Sequence, residues 1–567
     1  MRRRLTPSFI LAAVLVAIAS VVLVRHARRF DFVCDDAYIA LRYAKNWGDL
    51  GAPVYNPGQR VEGYTSFLFT ALTALVYKLG IAPPSGAQLI GALSGIGILA
   101  ASYALWLRVE RRTLLHQGLG GAFVVAMLAV SAPVAAWTMG GLETPLFTAL
   151  ATFSLVLAAD LAAVGDKREG AIVGAVLALA TLTRPEGALF TVAAGLVLLV
   201  ARARDATGRR AIAGFVLAYL MIAGGFEAWR WSYYGYPLPN TFYVKSTGAG
   251  DVLRARGVGY VNFAADEIGR WIIGISAFAL LMPARPALAQ DNDVEGTSLA
   301  TRRRAALWMM WLVPIPYVAY VVNVGGDFLD LYRFFVPLFP LAFVAIAAAI
   351  AHVGERVTSL FAEPKRARAS LVVAVACTAL AAQLLARHRH QQIELGDRAM
   401  QVAEPERGKR NLEPLGWTQL YARKWAAMGR WIAAHAKPGD TMAAGAAGAM
   451  PYFAGIPSLD LFGLCDAFIA HDGLVIGSRP GHQRTAPQWY IVEKKPTFLV
   501  INSEELRDFS MRPWNDAYWR GQGWVRAEAK MPAGKYGFEK DQYFGFLLKR
   551  ERAEAMRGEV DVAIADF

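Results

Sequence analysis

Tyr64-Thr-Ser-Phe-Leu-Phe-Thr-Ala-Leu-Thr-Ala-Leu-Val-Tyr-Lys-Leu-Gly-Ile81 decides the topology of this chain. It is apolar enough to suggest a membrane helix, and whether it crosses sets the side on which every later loop lies. Eleven other apolar runs surround it, at about 7–24, 88–107, 118–137, 145–164, 170–183, 187–201, 211–230, 269–286, 306–323, 334–351 and 369–386. A bilayer core takes roughly 20 residues of helix, so most of these runs suit one crossing each. Two are short, 170–183 and 187–201, and flank Arg184-Pro185-Glu186-Gly187.

The basic residues settle the parity. They cluster at Arg2–Arg4, Arg108/Arg111/Arg112, Lys167/Arg168, Arg202/Arg204/Arg209/Arg210, Arg302–Arg304 and Arg356/Lys365/Arg366/Arg368. Positive loops stay cytoplasmic. All six clusters share that side only if Tyr64–Ile81 does not cross, so it reads as a juxtamembrane helix in the outer interface. Arg25, His26, Arg28 and Arg29, just after the first run, oppose the pattern and are outvoted by the five later clusters.

Composition agrees with a polytopic membrane protein. The 567 residues are 55% hydrophobic and 18% charged, and the mean hydropathy is +0.32. Soluble domains carry about 25% charged residues. The net charge of +14 follows from the loop clusters and does not call for a nucleic-acid partner. Three cysteines exclude a disulfide framework. Met1–Val24 has the basic start and apolar run of a signal peptide, but Ala17-Ile18-Ala19 lies inside the run, so the segment is expected to stay as the first span.

The expected architecture is an all-α membrane domain over residues 1–386, with about eleven transmembrane helices and a first outer loop over 25–87. A more polar α/β domain follows over 387–567 on the outer side. In that tail, Leu420–Ala436 has helical periodicity, Pro496–Asn502 reads as a buried strand, and Asp440–Gly445 reads as a strand entering a turn. The N-terminus is expected in the cytoplasm of a bacterium, with the tail outside its inner membrane.

The polar, ionisable segments gather on the outer side. Cys34-Asp35-Asp36-Ala-Tyr38 through Trp47 reads as a helix that puts Asp35, Tyr38, Arg42 and Lys45 on one face. A carboxylate there can take a proton from a hydroxyl, and cations can hold a leaving phosphate. The same aspartates equally suit helix N-caps. Further ionisable or polar positions are Glu62 in a turn-rich segment, Glu143 in Gly-Gly-Leu-Glu-Thr-Pro, Arg184 and Glu186, Asn240 and Lys245 after the seventh run, and Asp327 with Arg333. Charges near membrane depth are functional candidates, and structural ion pairs explain any single one as well. No phosphate loop, nucleophile elbow, zinc-protease or dinucleotide motif occurs. His388 and His390 read as interfacial residues rather than metal ligands. Cys34 and Cys465 both fall on the outer side, where a bond between them would pin the tail to the first loop.

Taken in order, Asp35-Asp36-Ala-Tyr-Ile, Val-Tyr-Asn-Pro-Gly, Val-Glu-Gly-Tyr-Thr, Gly-Gly-Leu-Glu-Thr-Pro, Thr-Arg-Pro-Glu-Gly, Pro-Leu-Pro-Asn-Thr-Phe-Tyr-Val-Lys and Gly-Gly-Asp-Phe resemble the GT-C superfamily of membrane glycosyltransferases. They look most like its mycobacterial terminal arabinofuranosyltransferases and their pilin-arabinosylating relatives. Asp460-Leu-Phe-Gly-Leu-Cys-Asp466 is similar to a tail segment of that family, with Cys465 where Thr would be usual and Gln59 where Glu would be. The resemblance implies a polyprenyl-phosphate sugar donor, arabinofuranose by subfamily, and a periplasmic glycan or protein acceptor. It implies Asp35 as base with Asp36 orienting the acceptor or a cation. Arg42, Arg184, Lys245 and Arg333 become candidates for the donor phosphate. Tyr38, Glu62, Glu143, Glu186, Asn240, Asp327 and Asp466 become candidates for sugar or acceptor. No cofactor and no dedicated metal site is implied, though a divalent cation is compatible. Rival readings are a GT-C enzyme for a lipid-linked hexose or aminoarabinose, a transporter of lipid-linked sugars, and a scaffold.

Overall fold

The computed structural model describes residues 6–110, 113–245, 250–281, 294–362, 365–402, 412–477, 479, 481–501 and 516–565. Arg2–Arg4, Arg111 and Arg112, used above for topology, lie outside them. A helix coincides with each of the eleven apolar runs. Among the described residues seven helices are long and apolar enough to cross a membrane, from Pro7–Ala27 to Lys365–Ala399. Leu114–Val130 and Ala132–Met139 make an eighth candidate as a pair bent by 60°, which accounts for the expected run at 118–137. The bend follows Ser131 and Pro133: proline suits the first turn of a new helix but cannot continue an old one. Gly187–Arg202 and Arg270–Leu281 are shorter.

Phe67–Lys78, inside the deciding stretch, is a helix of 12 residues. At 1.5 Å per residue it spans about 18 Å, too little for a bilayer core of about 30 Å. It packs against Asp35–Leu50 and Pro83–Val109.

Four of the basic clusters, at Arg108, Lys167/Arg168, Arg202 and Arg302, share one end of the bundle. Asp160 pairs with Arg108 at 2.6 Å and with Arg302 at 3.3 Å. Arg202 donates to the carbonyls of Leu161 and Gly165 at that same end. Asp166 there closes a capping box on the helix Lys167–Thr183.

At the other end sits the tail. The last long helix runs past the expected boundary at 386 to Ala399. The helix Leu415–His435 follows, as its periodicity requires. Among the described residues eight strands come next: β1 (Met442–Ala444), β2 (Ser458–Asp460), β3 (Leu474–Val475), β4 (Arg484–Thr485), β5 (Phe498–Val500), β6 (Trp524–Met531), β7 (Gln542–Lys549) and β8 (Val562–Ala565). Six form one mixed sheet in the order β2-β1-β5-β7-β6-β8, and β3 pairs with β4. β1 and β5 are the two strands expected from sequence. They are central and parallel, buried at every position, as parallel strands require.

Candidate active site

The helix Asp35–Leu50 begins at an N-cap of Cys34, whose side chain caps nothing. Asp35 and Asp36 therefore occupy the first turn and are not caps. Placed there they favour the positive end of the helix dipole, and their carboxylates point in different directions.

Asp35 faces the tail. It accepts the backbone N–H of Ala449 at 2.8 Å. A side chain on Gly448 would put its Cβ 2.0 Å from the Asp35 carbonyl oxygen, so only glycine allows this approach. Burial pushes the Asp35 carboxyl up to about 7, against the pull of the Ala449 N–H.

Asp36 turns instead toward a cluster of charges. Burial raises its pKa, while Arg333 and then Lys245 oppose the rise. Arg333 forms an ion pair with Asp327. Both come from a tightly held loop. Gly325 and Gly326 have φ of 82° and 68°, and Leu331 and Tyr332, which are not glycines, have φ of 57° and 44°. Such backbone is costly for side-chain-bearing residues and persists only where the surroundings enforce it. Here Trp137 Nε1 holds the Leu331 carbonyl at 3.1 Å, and the Tyr332 hydroxyl donates to Glu267 at 2.7 Å.

Lys245 lies at the end of the helix Asn240–Lys245. Its side chain reaches solvent and is surrounded by protein. That crowding lowers its pKa, with Asp36 acting against it. Among the described residues no carboxylate pairs with it at ion-pair distance. Arg184 is fully engaged: it meets Glu143 at 3.0 Å and Glu186 at 2.7 Å. This buried trio carries one more negative than positive charge and borders Arg333.

The structure thus brings together Asp36, Asp327, Arg333, Lys245, Arg184, Glu143 and Glu186, with Asp35 alongside. It places five other expected residues in structural contacts. Tyr38 packs its ring against Tyr452 and Phe453. Arg42 is buried and donates to the carbonyls of Tyr55, Pro451 and Ile456 and to Asn56 Oδ1, which leaves it tied to protein rather than open to phosphate. Asn240 donates its amide to the carbonyls of Gly463, Leu464 and Asp466 and so holds the Lys245 helix on the tail. Asp466 caps the helix Ala467–Asp472 through the Ile469 N–H at 2.9 Å and accepts the Tyr490 hydroxyl. Glu62 lies beside Arg230 at 3.7 Å, away from the cluster, and burial pushes it up to about 8.

The face shared by Asp35, Tyr38 and Arg42 is therefore a docking surface for the tail. The Val-Tyr-Asn-Pro-Gly motif serves the same joint: the Tyr55 hydroxyl donates to the Ala447 carbonyl at 2.7 Å, and Asn56 exchanges two hydrogen bonds with the Ser458 backbone. Cys34 and Cys465 are both buried and free, so no disulfide pins the two parts.

Three residues that sequence reasoning missed complete the cluster. Arg479 pairs with Glu413, and both act electrostatically on Asp36 or Asp327. Arg256 reaches the Asp327 carbonyl at 3.4 Å. Only Arg479 had a local signal, a cation among glycine and proline in the sequence Gly477-Ser-Arg-Pro-Gly481.

Two proteins named terminal beta-(1->2)-arabinofuranosyltransferase are similar to the chain. The one from Corynebacterium glutamicum is 28% identical over 339 residues, covering 55% of this chain and 47% of the relative. The one from Mycobacterium tuberculosis is 28% identical over 344 residues, covering 55% and 51%. The chain thus spans about half the length of the curated relatives it matches. Residues 413–544 match a family model described as a domain of unknown function (DUF8728). The apo crystal structure of ArnT from Cupriavidus metallidurans superposes with a TM-score of 0.52 at 14% identity, covering 95% of this chain and 98% of ArnT.

The chain shares the overall fold of that ArnT structure. The part before the tail carries Asp36, Arg184, Asp327 and Arg333, and the tail brings Glu413 and Arg479 against them. The charge cluster therefore lies where the two parts of the chain meet.

Proposed function

We propose that the chain is a membrane glycosyltransferase. It moves a sugar from a polyprenyl-phosphate donor to an acceptor, a glycan or protein, on the face that carries the tail. The names of the relatives favour arabinofuranose as the sugar. In this reading the protein sits in a bacterial inner membrane with that face periplasmic.

The observation that carries the proposal is Lys245, an ammonium with no carboxylate at ion-pair distance among the described residues, set with Arg333 against Asp36. A phosphodiester that loses its sugar gains negative charge on the departing oxygen. Preorganised cations stabilise that charge at little reorganisation cost. Lys245 and Arg333 serve this purpose better than Arg184, which two carboxylates already neutralise, or Arg42, which is bound to carbonyls.

Asp35 is the base in this account. A general base works best with a pKa near the operating pH, and Asp35 lies at about 7. One of its oxygens is held by Ala449 and the other can take the proton of an acceptor hydroxyl. The acceptor oxygen bonds to the anomeric carbon, the carbon–phosphate oxygen bond breaks, and the electron pair leaves on polyprenyl phosphate. Asp36 keeps Lys245 and Arg333 in place. Glu143, Glu186 and Asp327, paired with Arg184 and Arg333, keep lone pairs that would accept hydrogen bonds from sugar hydroxyls. The mechanism runs without a cofactor.

The test is release of polyprenyl phosphate from synthetic lipid-linked sugars by the purified protein, followed by mass spectrometry. Arabinofuranose, aminoarabinose and a hexose are offered in parallel. Turnover of the arabinofuranose lipid alone supports the full proposal. Turnover of another lipid keeps the transferase and replaces the sugar. Turnover of none overturns it.

A further inference from the structure

A second constellation lies in the tail, apart from the charge cluster. His435 ends the helix Leu415–His435. Its Nδ1 lies 2.7 Å from the Trp431 carbonyl oxygen. A carbonyl can only accept, so Nδ1 carries the proton and Nε2 points the other way. Nε2 faces two carboxylates, Glu559 and Asp561, each at 3.2 Å. All three ligand atoms lie within 4.8 Å of one another.

We propose that His435, Glu559 and Asp561 bind a divalent transition-metal ion, zinc by preference, that fastens the end of the sheet. Three acceptors converging on one point repel one another unless a cation lies between them. Zinc bonds nitrogen at about 2.0–2.1 Å and carboxylate oxygen at about 2.0–2.2 Å. Tetrahedral ligands at that radius stand about 3.4 Å apart, close to the 3.2 Å seen here. Imidazole selects zinc and its neighbours over calcium or magnesium, which take oxygen ligands.

The surrounding contacts have the form of a metal site's supporting shell. Metal-binding histidines donate their second ring N–H to a carbonyl or carboxylate, which fixes the tautomer; the Trp431 carbonyl does this for His435. The indole N–H of the same Trp431 holds Asp561 Oδ2 at 3.2 Å, which leaves Oδ1 toward Nε2. The Trp431 ring stacks on the imidazole with centroids 4.1 Å apart. Glu559 is 39% exposed on its side chain, so an ion can enter and keep water as a fourth ligand.

The position suggests the purpose. Asp561 immediately precedes β8, which pairs only with β6 and forms an edge of the sheet. The metal would join that edge to the helix behind the sheet. The helix has 21 residues, about 30 Å of length. Its far end adjoins Glu413, so the ion is structural and remote from sugar transfer.

The experiment uses the full chain in detergent after chelation. Zinc is titrated against a competing chelator, and thermal unfolding is followed with and without zinc. Glu559→Gln is the main variant, because it is at the surface and spares the core. His435→Gln is the second. The expected result is one zinc site in the wild type that raises the melting temperature. Glu559→Gln should weaken it at least about tenfold, as ligand and outer-shell changes generally do. His435→Gln should abolish it, calcium should produce no shift, and Glu559→Gln should keep full transferase activity. Equal zinc binding and equal melting shifts in the wild type and both variants would overturn the proposal and leave the trio as a hydrogen-bonded contact within the tail.

Discussion

The Asp35 carboxylate accepts the backbone N–H of Ala449 at 2.8 Å, across 414 residues of sequence. The proposed base is thus positioned by the tail as well as by its own helix. A side chain at Gly448 would strike Asp35, with its Cβ 2.7 Å from Asp35 Cγ as well as 2.0 Å from the carbonyl oxygen. Gly448→Ala should cost about 1–3 kcal/mol of stability, as overpacking does, and should lower turnover out of proportion to that loss. Melting curves beside single-turnover rates check this. Unchanged turnover would separate the tail from the chemistry.

Asp35 also sets an expected pH dependence. Its carboxyl is raised from 3.8 to about 7 in the fold, mainly by burial. A base must be ionised, so kcat/KM should rise with pH and level off above about 7. The stability effect has the opposite sign. Between the unfolded and folded values the native state binds more proton, so stability falls as pH rises from about 4 to about 7. Asp35→Asn should therefore be inactive and yet melt a few degrees higher than wild type at pH 8, a gain roughly equivalent to 1 kcal/mol. A lower melting temperature for the variant at pH 8 would contradict the buried-charge account.

Lys245→Met should lower kcat/KM for the lipid donor by about a hundredfold, the usual scale for losing one donor to a developing anion. Lys245→Arg should restore part of that, since it keeps the charge but changes the geometry. An equal loss with both substitutions would favour shape over charge.

Arg42 gives a contrasting case. Its guanidinium bridges Tyr55, Asn56, Pro451 and Ile456 and lies 4.6 Å from the Tyr55 ring centroid. Arg42→Met strands several buried acceptors and should cost about 3 kcal/mol. Arg42→Lys should rescue little, because an ammonium cannot replace the planar fork. Limited proteolysis of the tail and thermal melting test this. Full stability with a raised donor KM would return Arg42 to the phosphate site.

Much of the fold was legible because it depends on local composition. Apolar runs and basic loops are read directly, and the short Phe67–Lys78 helix agrees with the parity argument. Helical spacing correctly placed Asp35, Tyr38 and Arg42 on one face. It could not say what that face meets, and the partner is the tail. Asp36, one residue on, turns about 100° toward Arg333 and Lys245. Glu413 and Arg479 reach the cluster only through the fold of the tail, so nothing local marked Glu413. Asn240 and Asp466 looked like ligand residues because polar side chains beside glycine and proline suit both binding and turn-holding. Here they hold turns.

The most direct test of the central claim is transfer of radiolabelled sugar from polyprenyl-phosphoarabinofuranose to an added alcohol by purified wild type and Asp35→Asn, with Lys245→Met alongside. The account predicts labelled glycoside from the wild type, about a hundredfold less from Lys245→Met and none from Asp35→Asn. It predicts an Asp35→Asn protein that still binds the donor lipid and a Lys245→Met protein that binds it weakly. Equal transfer by wild type and Asp35→Asn, or movement of intact lipid-linked sugar across vesicles with no glycoside formed, would contradict it.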